Sequence, residues 1–450
     1  MRLHDGVSFL IKSDWPTGVQ FRVLQISGDR RPRAVRSLPR EISMSQIIAN
    51  IHIAVNFFKR HKRKRIVWYI EKSCDVLIYD GEGSDNLLHC MPAQSSVFII
   101  KNRVEIPLFI SIIFFLRIFL GLIKYRNPSV AIVTAIIKHL KPKVIITYID
   151  NAPTIQLIKK LFPSVPVLAI QNGTRWDLSI RNGTHVEHDY YFSFGLVESD
   201  IFSQGGHTVR NFHPIGSLRA GIFKEKFPVS KEKEFDLCYI SQFLLDPIPS
   251  NCAESDEWIH EIFTSYYEVG KRYFDIIVRY AQENKLNLCV AMRSPQNSAE
   301  SIRESEYFTY QGHAKIEYIP RSSFSSYKAV QASKLSFTIS STLGYEALGW
   351  GERVIFAKDV EAVKSLITHG TWTDNLVTHR LPELQRLHSL DYSEISFKAM
   401  ELLKMTNESY INYSKSARAY YMNNDDEQKP HEIIKSKIQE LLATDLNNAY

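Results

Sequence analysis

The chain has 450 residues, too many for one ordinary domain and enough for two, each with its own core. With 44% hydrophobic and 23% charged residues it has the composition of a folded globular protein, which excludes a disordered or fibrous chain. The net charge of +7 and the pI near 8.9 point to an anionic partner, whether a nucleotide, a phosphorylated acceptor or a membrane surface, and are too weak to indicate nucleic acid.

Five cysteines, Cys74, Cys90, Cys238, Cys252 and Cys289, are scattered and odd in number, with no CxxC pair, so neither a disulfide framework nor a zinc site is expected. A reducing compartment fits this usage. The opening residues lack an apolar core followed by a small-residue cleavage site, so no signal peptide is expected. The histidines show no HExxH or other ligand spacing, and no metal is expected.

In chain order, Met44–Phe58 reads as an amphipathic helix that ends in the basic cluster Lys59–Arg65. Arg65–Ile70 and Asp75–Tyr79 read as strands, the second closed by the turn Asp80-Gly-Glu-Gly-Ser84. Val97–Ile100 is a third strand. Ile106–Ile123 is almost wholly apolar and reads as one helix, buried or lying at a membrane interface. Its 18 residues are at the bottom of the spanning range, and Arg117 at mid-membrane would cost about 2.5–3.5 kcal/mol. The helix Val130–Leu140 and the strand Lys143–Tyr148 follow.

The alternation then becomes regular. Helix Thr154–Leu161, strand Val165–Ile170, strand Asp189–Phe194, helix Glu198–Gln204 and strand Arg210–Ile215 imply βαβ units in a mainly parallel sheet. The charged, aperiodic stretch Lys224–Glu234 reads as a linker. A second alternation starts with strand Phe235–Ile240 and the long helix Trp258–Asn284. It continues through strands Leu286–Met292, Ala314–Tyr318, Leu335–Ile339 and Arg353–Ala357, with helices Ser298–Ser305, Ser325–Ala332 and Leu343–Trp350 between them. The tail Ser393–Leu442 is mostly helical. The expected limits are residues 1–223 for one Rossmann-like domain, 235–392 for a second, and 393–450 for helices that return to the first.

In open parallel sheets, ligands bind beyond the carboxyl ends of the strands. Polar clusters at those ends are therefore the candidate site residues. In Ser340–Gly351 a strand runs through small hydroxyl residues straight into a helix, whose free N–H groups and dipole suit a phosphate. Ser341 and Thr342 add hydroxyls, Gly344 permits close approach of a ligand, and Glu346 is placed to accept from ribose hydroxyls. The competing reading is plain N-capping by Ser or Thr.

Strand, Ser-Ser/Thr, Gly-Tyr-Glu-Ala-Leu, glycine and a Val-Ile strand together resemble the donor site of GT-B transferases, in particular those of bacterial surface-carbohydrate biosynthesis. The pattern is also similar to polysialyl- and Kdo-transferases and to glycerophosphotransferases of teichoic-acid type. VLIYDGEGS, VIITYIDN, LAIQNG and FHPIGS carry the resemblance into the first domain, so that it spans roughly residues 65–357. It implies an α/β, GT-B-like fold of two Rossmann-like domains facing a cleft, a nucleotide-linked donor and no obligatory metal or other cofactor. Donor identity varies within the group.

Asp80 and Glu82 flank Gly81 at a strand end, and either carboxylate can deprotonate an acceptor hydroxyl. Polysialyl-type enzymes carry an acidic-acidic-glycine motif in that role, which only Glu82-Gly83 matches here. An Asp/Gly turn is the alternative. Asp150, followed by Asn151, is the second base candidate or a ligand of acceptor hydroxyls. Gln171, Asn172 and Arg175 are candidates for acceptor or phosphate binding, Arg175 through its planar fork. Arg293 stands where related sialyltransferases carry a phosphate-contacting His-Pro, and Ser241-Gln242 is a further donor-side candidate.

The expected activity is therefore transfer of a sugar from a nucleotide donor to a surface polysaccharide or lipid-linked acceptor, at the cytosolic face of a membrane and with no nucleic acid involved. The alternatives are a CDP-glycerol- or ribitol-type polyol-phosphate transferase, a non-catalytic nucleotide- or glycan-binding subunit, and a nucleotide-sugar epimerase.

Overall fold

The structure is a computed structural model. It describes residues 64–67, 73–100, 106–109, 112–125, 127–150, 152–174, 186–228, 232–243, 257–309, 315–360, 380–424 and 428–447. The amphipathic stretch 44–58, most of the basic cluster, Asn151 and Arg175 lie outside the described residues.

Two parallel sheets organise the chain. The first has six strands in the order β3-β2-β5-β6-β7-β8: β2 (Val76–Tyr79), β3 (Val97–Ile100), β5 (Val144–Thr147), β6 (Val167–Ile170), β7 (Glu187–Ser193) and β8 (Thr208–Pro214). Three of its inner strands, β2, β5 and β6, are short, largely apolar runs rich in β-branched residues and buried on both faces, as parallel strands covered by helices must be. Ile78 pairs with Ile146, and Ile146 with Leu168.

The second sheet has five strands in the order β11-β10-β9-β12-β13: β9 (Phe235–Ile240), β10 (Leu288–Pro295), β11 (Ile316–Arg321), β12 (Ser333–Thr338) and β13 (Val354–Phe356). Leu237 sits between Leu288 and Leu335. Each sheet reverses its strand order once, between β2 and β5 in the first and between β9 and β12 in the second. This doubly wound pair with C-terminal helices is the α/β, GT-B-like architecture expected from the sequence.

The apolar stretch from Ile106 is not one helix. β4 (Ile106–Phe109) pairs in parallel with β1 (Lys64–Val67), and a helix starts only at Ile112. Apolarity alone does not separate a strand from a buried helix.

The helices, numbered in chain order, are α1 (Ser84–Leu88), α2 (Ile112–Tyr125), α3 (Pro128–Leu140), α4 (Pro153–Leu161), α5 (Val197–Gln204), α6 (Leu218–Lys226), α7 (Glu257–Glu283), α8 (Ala299–Tyr307), α9 (Ser325–Gln331), α10 (Thr342–Trp350), α11 (Tyr392–Lys404), α12 (Asn407–Tyr421) and α13 (Pro430–Asn447). The start of the expected linker is helical, since α6 runs to Lys226, and Lys233 is tied to Glu352 at 2.7 Å.

The last three helices stitch the sheets together. α11 buries Ile395, Ala399 and Leu402 in the core of the second sheet, and α13 buries Ile434 and Ile438 against the first. Between them the backbone from Tyr420 to Asn424 crosses from one to the other. Asn423 donates from N to Phe194 O at 2.7 Å and from Nδ2 to Pro214 O at 2.6 Å, while Arg418 Nη2 donates to Gly349 O at 3.0 Å. Glycines make this crossing possible. A Cβ on Gly195 would lie 2.2 Å from Tyr420 O, and one on Gly216, where φ is +84°, 2.2 Å from Asn423 O.

Candidate active site

The carboxyl ends of both sheets meet at the seam between them, and the candidate residues flank the two reversal points. In the first sheet Asp80–Gly83 follows β2 and Tyr148–Asp150 follows β5. In the second, Ser241–Phe243 follows β9 and Ser340–Thr342 follows β12. A reversal point leaves a crevice between strands whose connections run off in opposite directions, which is where such sheets bind ligands.

The amino end of α10 is the most open hydrogen-bonding feature there. Ser341 occupies the N-cap position in extended conformation, yet its side chain makes no capping bond. Among the described residues, no group accepts from the N–H of Thr342 or Leu343 or pairs with the Ser341 hydroxyl. The plain-capping reading therefore does not describe this helix, although α6 is capped by Ser217, α8 by Ser298 and α12 by Thr406. Gln242 braces the turn from below: its Oε1 accepts from Ser340 N at 2.6 Å and Thr338 Oγ1 at 3.2 Å, and its Nε2 reaches Ser340 Oγ at 3.3 Å.

Two ties join this helix to the first sheet. Thr342 Oγ1 accepts from Thr174 N at 3.2 Å, just past β6. Glu346 Oε1 accepts from Ser217 Oγ at 2.5 Å, just past β8, and from Tyr327 OH at 3.0 Å. All three of these hydroxyl and carboxyl groups are buried. Burial raises the Glu346 pKa, opposed by the two hydroxyl bonds and the nearby Arg219 charge. Arg219 donates to Ser323 O at 2.8 Å and lies over the Phe324 and Tyr327 rings, so α6 is clamped to the second sheet. Burial, then the neighbouring Glu346, raise the Tyr327 pKa, and Tyr148 of the first sheet stands close enough to add to that.

Of the three candidate carboxylates, Glu82 alone is partly exposed. Asp80 is buried and its Oδ1 accepts from Glu82 N at 3.3 Å, closing the turn that presents Glu82. Gly83 has φ +70°, and a Cβ there would lie 2.1 Å from Tyr148 Cδ1, so the turn is packed on that ring. Asp150, the second base candidate, is buried, its Oδ2 accepting from Tyr191 OH at 2.6 Å while its carbonyl meets His188 Nε2 at 3.0 Å.

Three further expectations are corrected. Gln171 is buried and its amide is committed internally: Nε2 donates to Gly173 O at 2.9 Å and Glu198 Oε1 at 2.5 Å, and Oε1 accepts from Phe194 N at 2.6 Å. It pins β6 to β7 and has little left for an acceptor. Ser241 is buried and donates to Glu304 Oε1. Gly344 is buried on the sheet side of α10, where a Cβ would lie 2.6 Å from Thr338 Cγ2. Its role is close approach of helix to sheet, not of ligand to helix.

Asn172 is half-buried beside these groups, and Arg293, also half-buried, donates from Nη1 to Phe243 O at 3.2 Å. The residue that sequence reasoning missed is Glu304. It is fully buried, and accepts from Arg293 N and Ser294 N at 2.8 Å each as well as from Ser241. It fixes the ends of β9 and β10. No local signal marks it, because it lies within α8 and its partners sit on two other elements, the ends of β9 and β10. Among the described residues no three His, Cys, Asp or Glu side chains gather as metal ligands would.

Residues 168–370 match a family model described as "putative O-antigen biosynthesis protein", which supports a role in surface-glycan biosynthesis. Among solved structures, the chain is similar to the wall teichoic acid polymerase TagF at 10% identity, covering 90% of this chain and 100% of that one with a TM-score of 0.49. It is similar to the UDP-GlcNAc 2-epimerase of Methanocaldococcus jannaschii at 12% identity, 84% and 99% coverage and a TM-score of 0.45. For the UDP-GlcNAc 2-epimerase of Neisseria meningitidis the figures are 11% identity, 85% and 100% coverage and a TM-score of 0.42. No curated protein sequence matches significantly.

Proposed function

We propose that the chain is a metal-independent glycosyltransferase of the GT-B type, moving a sugar from a nucleotide-activated donor to a growing surface polysaccharide or lipid-linked acceptor. The observation that carries this reading is the uncapped amino end of α10 at the second sheet's reversal point, with the Glu82 turn at the reversal point of the first. The donor diphosphate would accept hydrogen bonds from the N–H groups of Thr342 and Leu343 and from Ser341 Oγ, in the positive field of the helix end. Arg293 and the free oxygen of Glu346 are the next groups in reach of a nucleotide under this reading.

Glu82 would take the proton from the acceptor hydroxyl as it attacks the anomeric carbon. The sugar–phosphate bond breaks, and negative charge collects on the leaving phosphate, where fixed N–H dipoles stabilise it without reorganising. The first sheet and α13 form the acceptor side and the second sheet the donor side, with 1–223, 235–392 and 393–450 as the working limits.

The test is donor consumption with purified full-length chain on CMP-, CDP-, UDP- and GDP-linked sugars and on CDP-glycerol. Turnover of a nucleotide sugar supports the reading. Turnover of CDP-glycerol alone replaces it with polyol-phosphate transfer, and nucleotide binding without any turnover replaces it with a binding subunit.

A further inference from the structure

Helix α2 is apolar over most of its circumference, but only one side is used. Phe114, Ile118 and Leu122 are buried, and Gly121 lets the helix cross α3 so closely that a Cβ there would lie 3.0 Å from Ala131 Cβ. Ile113, Phe115, Leu116, Phe119 and Leu120 point away from this contact and are 40–61% exposed. At 3.6 residues per turn these five cover an arc of roughly 160°. Single exposed apolar residues are ordinary, whereas five on one face of one helix form a patch that asks for an apolar partner.

Charge says which partner. From Ile106 to Ile149 the chain contains Arg117, Lys124, Arg126, Lys138, Lys141 and Lys143, and no Asp or Glu. Among the described residues of this stretch, only Lys143 is paired with an acid, Asp75 at 2.9 Å. Arg117 and Lys124 lie along one edge of the apolar arc, and Lys138 and Lys141 are exposed at the end of the neighbouring α3. β1, which carries Lys64 and Arg65 at the end of the basic cluster, pairs with the strand that leads into α2. An apolar arc edged by cations and clear of acids fits an anionic lipid surface, the rings and leucines entering the acyl boundary while the basic groups stay among the phosphates. Its 14 residues span about 21 Å against the ~30 Å of a hydrocarbon core, and no described helix is long and apolar enough to cross a membrane.

We infer that α2 is a monotopic docking face for an anionic phospholipid bilayer, lying in the plane of the interface through Ile113, Phe115, Leu116, Phe119 and Leu120. This stands independently of the proposed reaction, because the experiment reads binding and not turnover.

The experiment is flotation of the full chain with phosphatidylglycerol-containing vesicles and with pure phosphatidylcholine vesicles. The wild type should float with the anionic vesicles, far less with the zwitterionic ones, and lose binding as salt rises. Leu116→Asp/Leu120→Asp should lower the partition coefficient at least tenfold, and Arg117→Gln/Lys124→Gln by several-fold, with thermal stability unchanged in both. Failure of the wild type to bind anionic vesicles overturns the inference, as does equal binding by the leucine variant. If that variant instead loses stability, exposes residues 44–58 to protease or changes oligomeric state, the patch is covered by the chain itself or by a second copy, and the inference falls.

Discussion

Ser217 and Glu346, 129 positions apart in the chain, meet across the seam between the two sheets, with Ser217 Oγ donating to Glu346 Oε1 at 2.5 Å. The serine lies just past β8 and caps α6, and the glutamate sits one turn into α10. One carboxylate thus ties the domains together on one oxygen and lies beside the open helix end that is proposed to hold the nucleotide.

Glu346→Ala should therefore do two things. It strands the buried hydroxyls of Ser217 and Tyr327, at a cost of about 1–3 kcal/mol in denaturant titrations, and it should weaken nucleotide binding measured by calorimetry. Unchanged nucleotide affinity would leave Glu346 as a domain tie only. Its pH signature is separate. Because burial raises its pKa above the ordinary 4.5, its contribution to stability is fully present below that value and is lost as pH rises through the folded one. Glu346→Gln does not titrate, so its stability relative to wild type should increase across that window and level off above it; a constant difference from acid to neutral pH would contradict the burial argument.

Glu82→Gln should lower turnover by roughly 10²–10⁴-fold, the usual effect of removing a general base, while nucleotide affinity stays near wild type. Asp150→Asn keeps an oxygen that can accept from the Tyr191 hydroxyl but replaces the buried carboxylate's other oxygen by an NH2 donor, and should show mainly as lost stability. If Asp150→Asn abolishes turnover in a stable protein and Glu82→Gln does not, the base has been misassigned.

How far these residues were legible in the sequence depended on whether the signal was local. Val76–Tyr79, Val144–Thr147 and Val167–Ile170 announce themselves as buried parallel strands, and the polar turns after them mark the functional edge of the sheet. The direction of a side chain at such a turn is not local. Gln171 and Asp150 look like cleft residues in the sequence alone, but β7 and the residue after it supply Tyr191 OH and Phe194 N as their partners. Gly344 signalled close approach without saying of what, and Glu304 was silent because its partners come from two other elements. The apolar run from Ile106 hid a strand boundary, since both a strand and a packed helix want the same residues.

Gly344→Ala tests the packing account of that glycine. Its Cβ would press on Thr338 Cγ2 at 2.6 Å and Phe356 Cε1 at 3.1 Å, so the variant should lose about 1–3 kcal/mol in thermal or chemical denaturation. Full stability together with weakened nucleotide binding would instead return Gly344 to ligand contact.

Chelation should leave activity intact, because the proposed leaving-group stabilisation comes from helix N–H groups and hydroxyls. Loss of turnover in EDTA that magnesium or manganese restores would require a metal-assisted mechanism.

The most direct test of the account is a structure of the full chain with a bound nucleotide diphosphate. The account predicts phosphate oxygens within about 3 Å of the Thr342 and Leu343 nitrogens and of Ser341 Oγ, with the sugar end turned toward Glu82. A nucleotide seated away from the amino end of α10, or one whose sugar end turns from the first sheet, would contradict it.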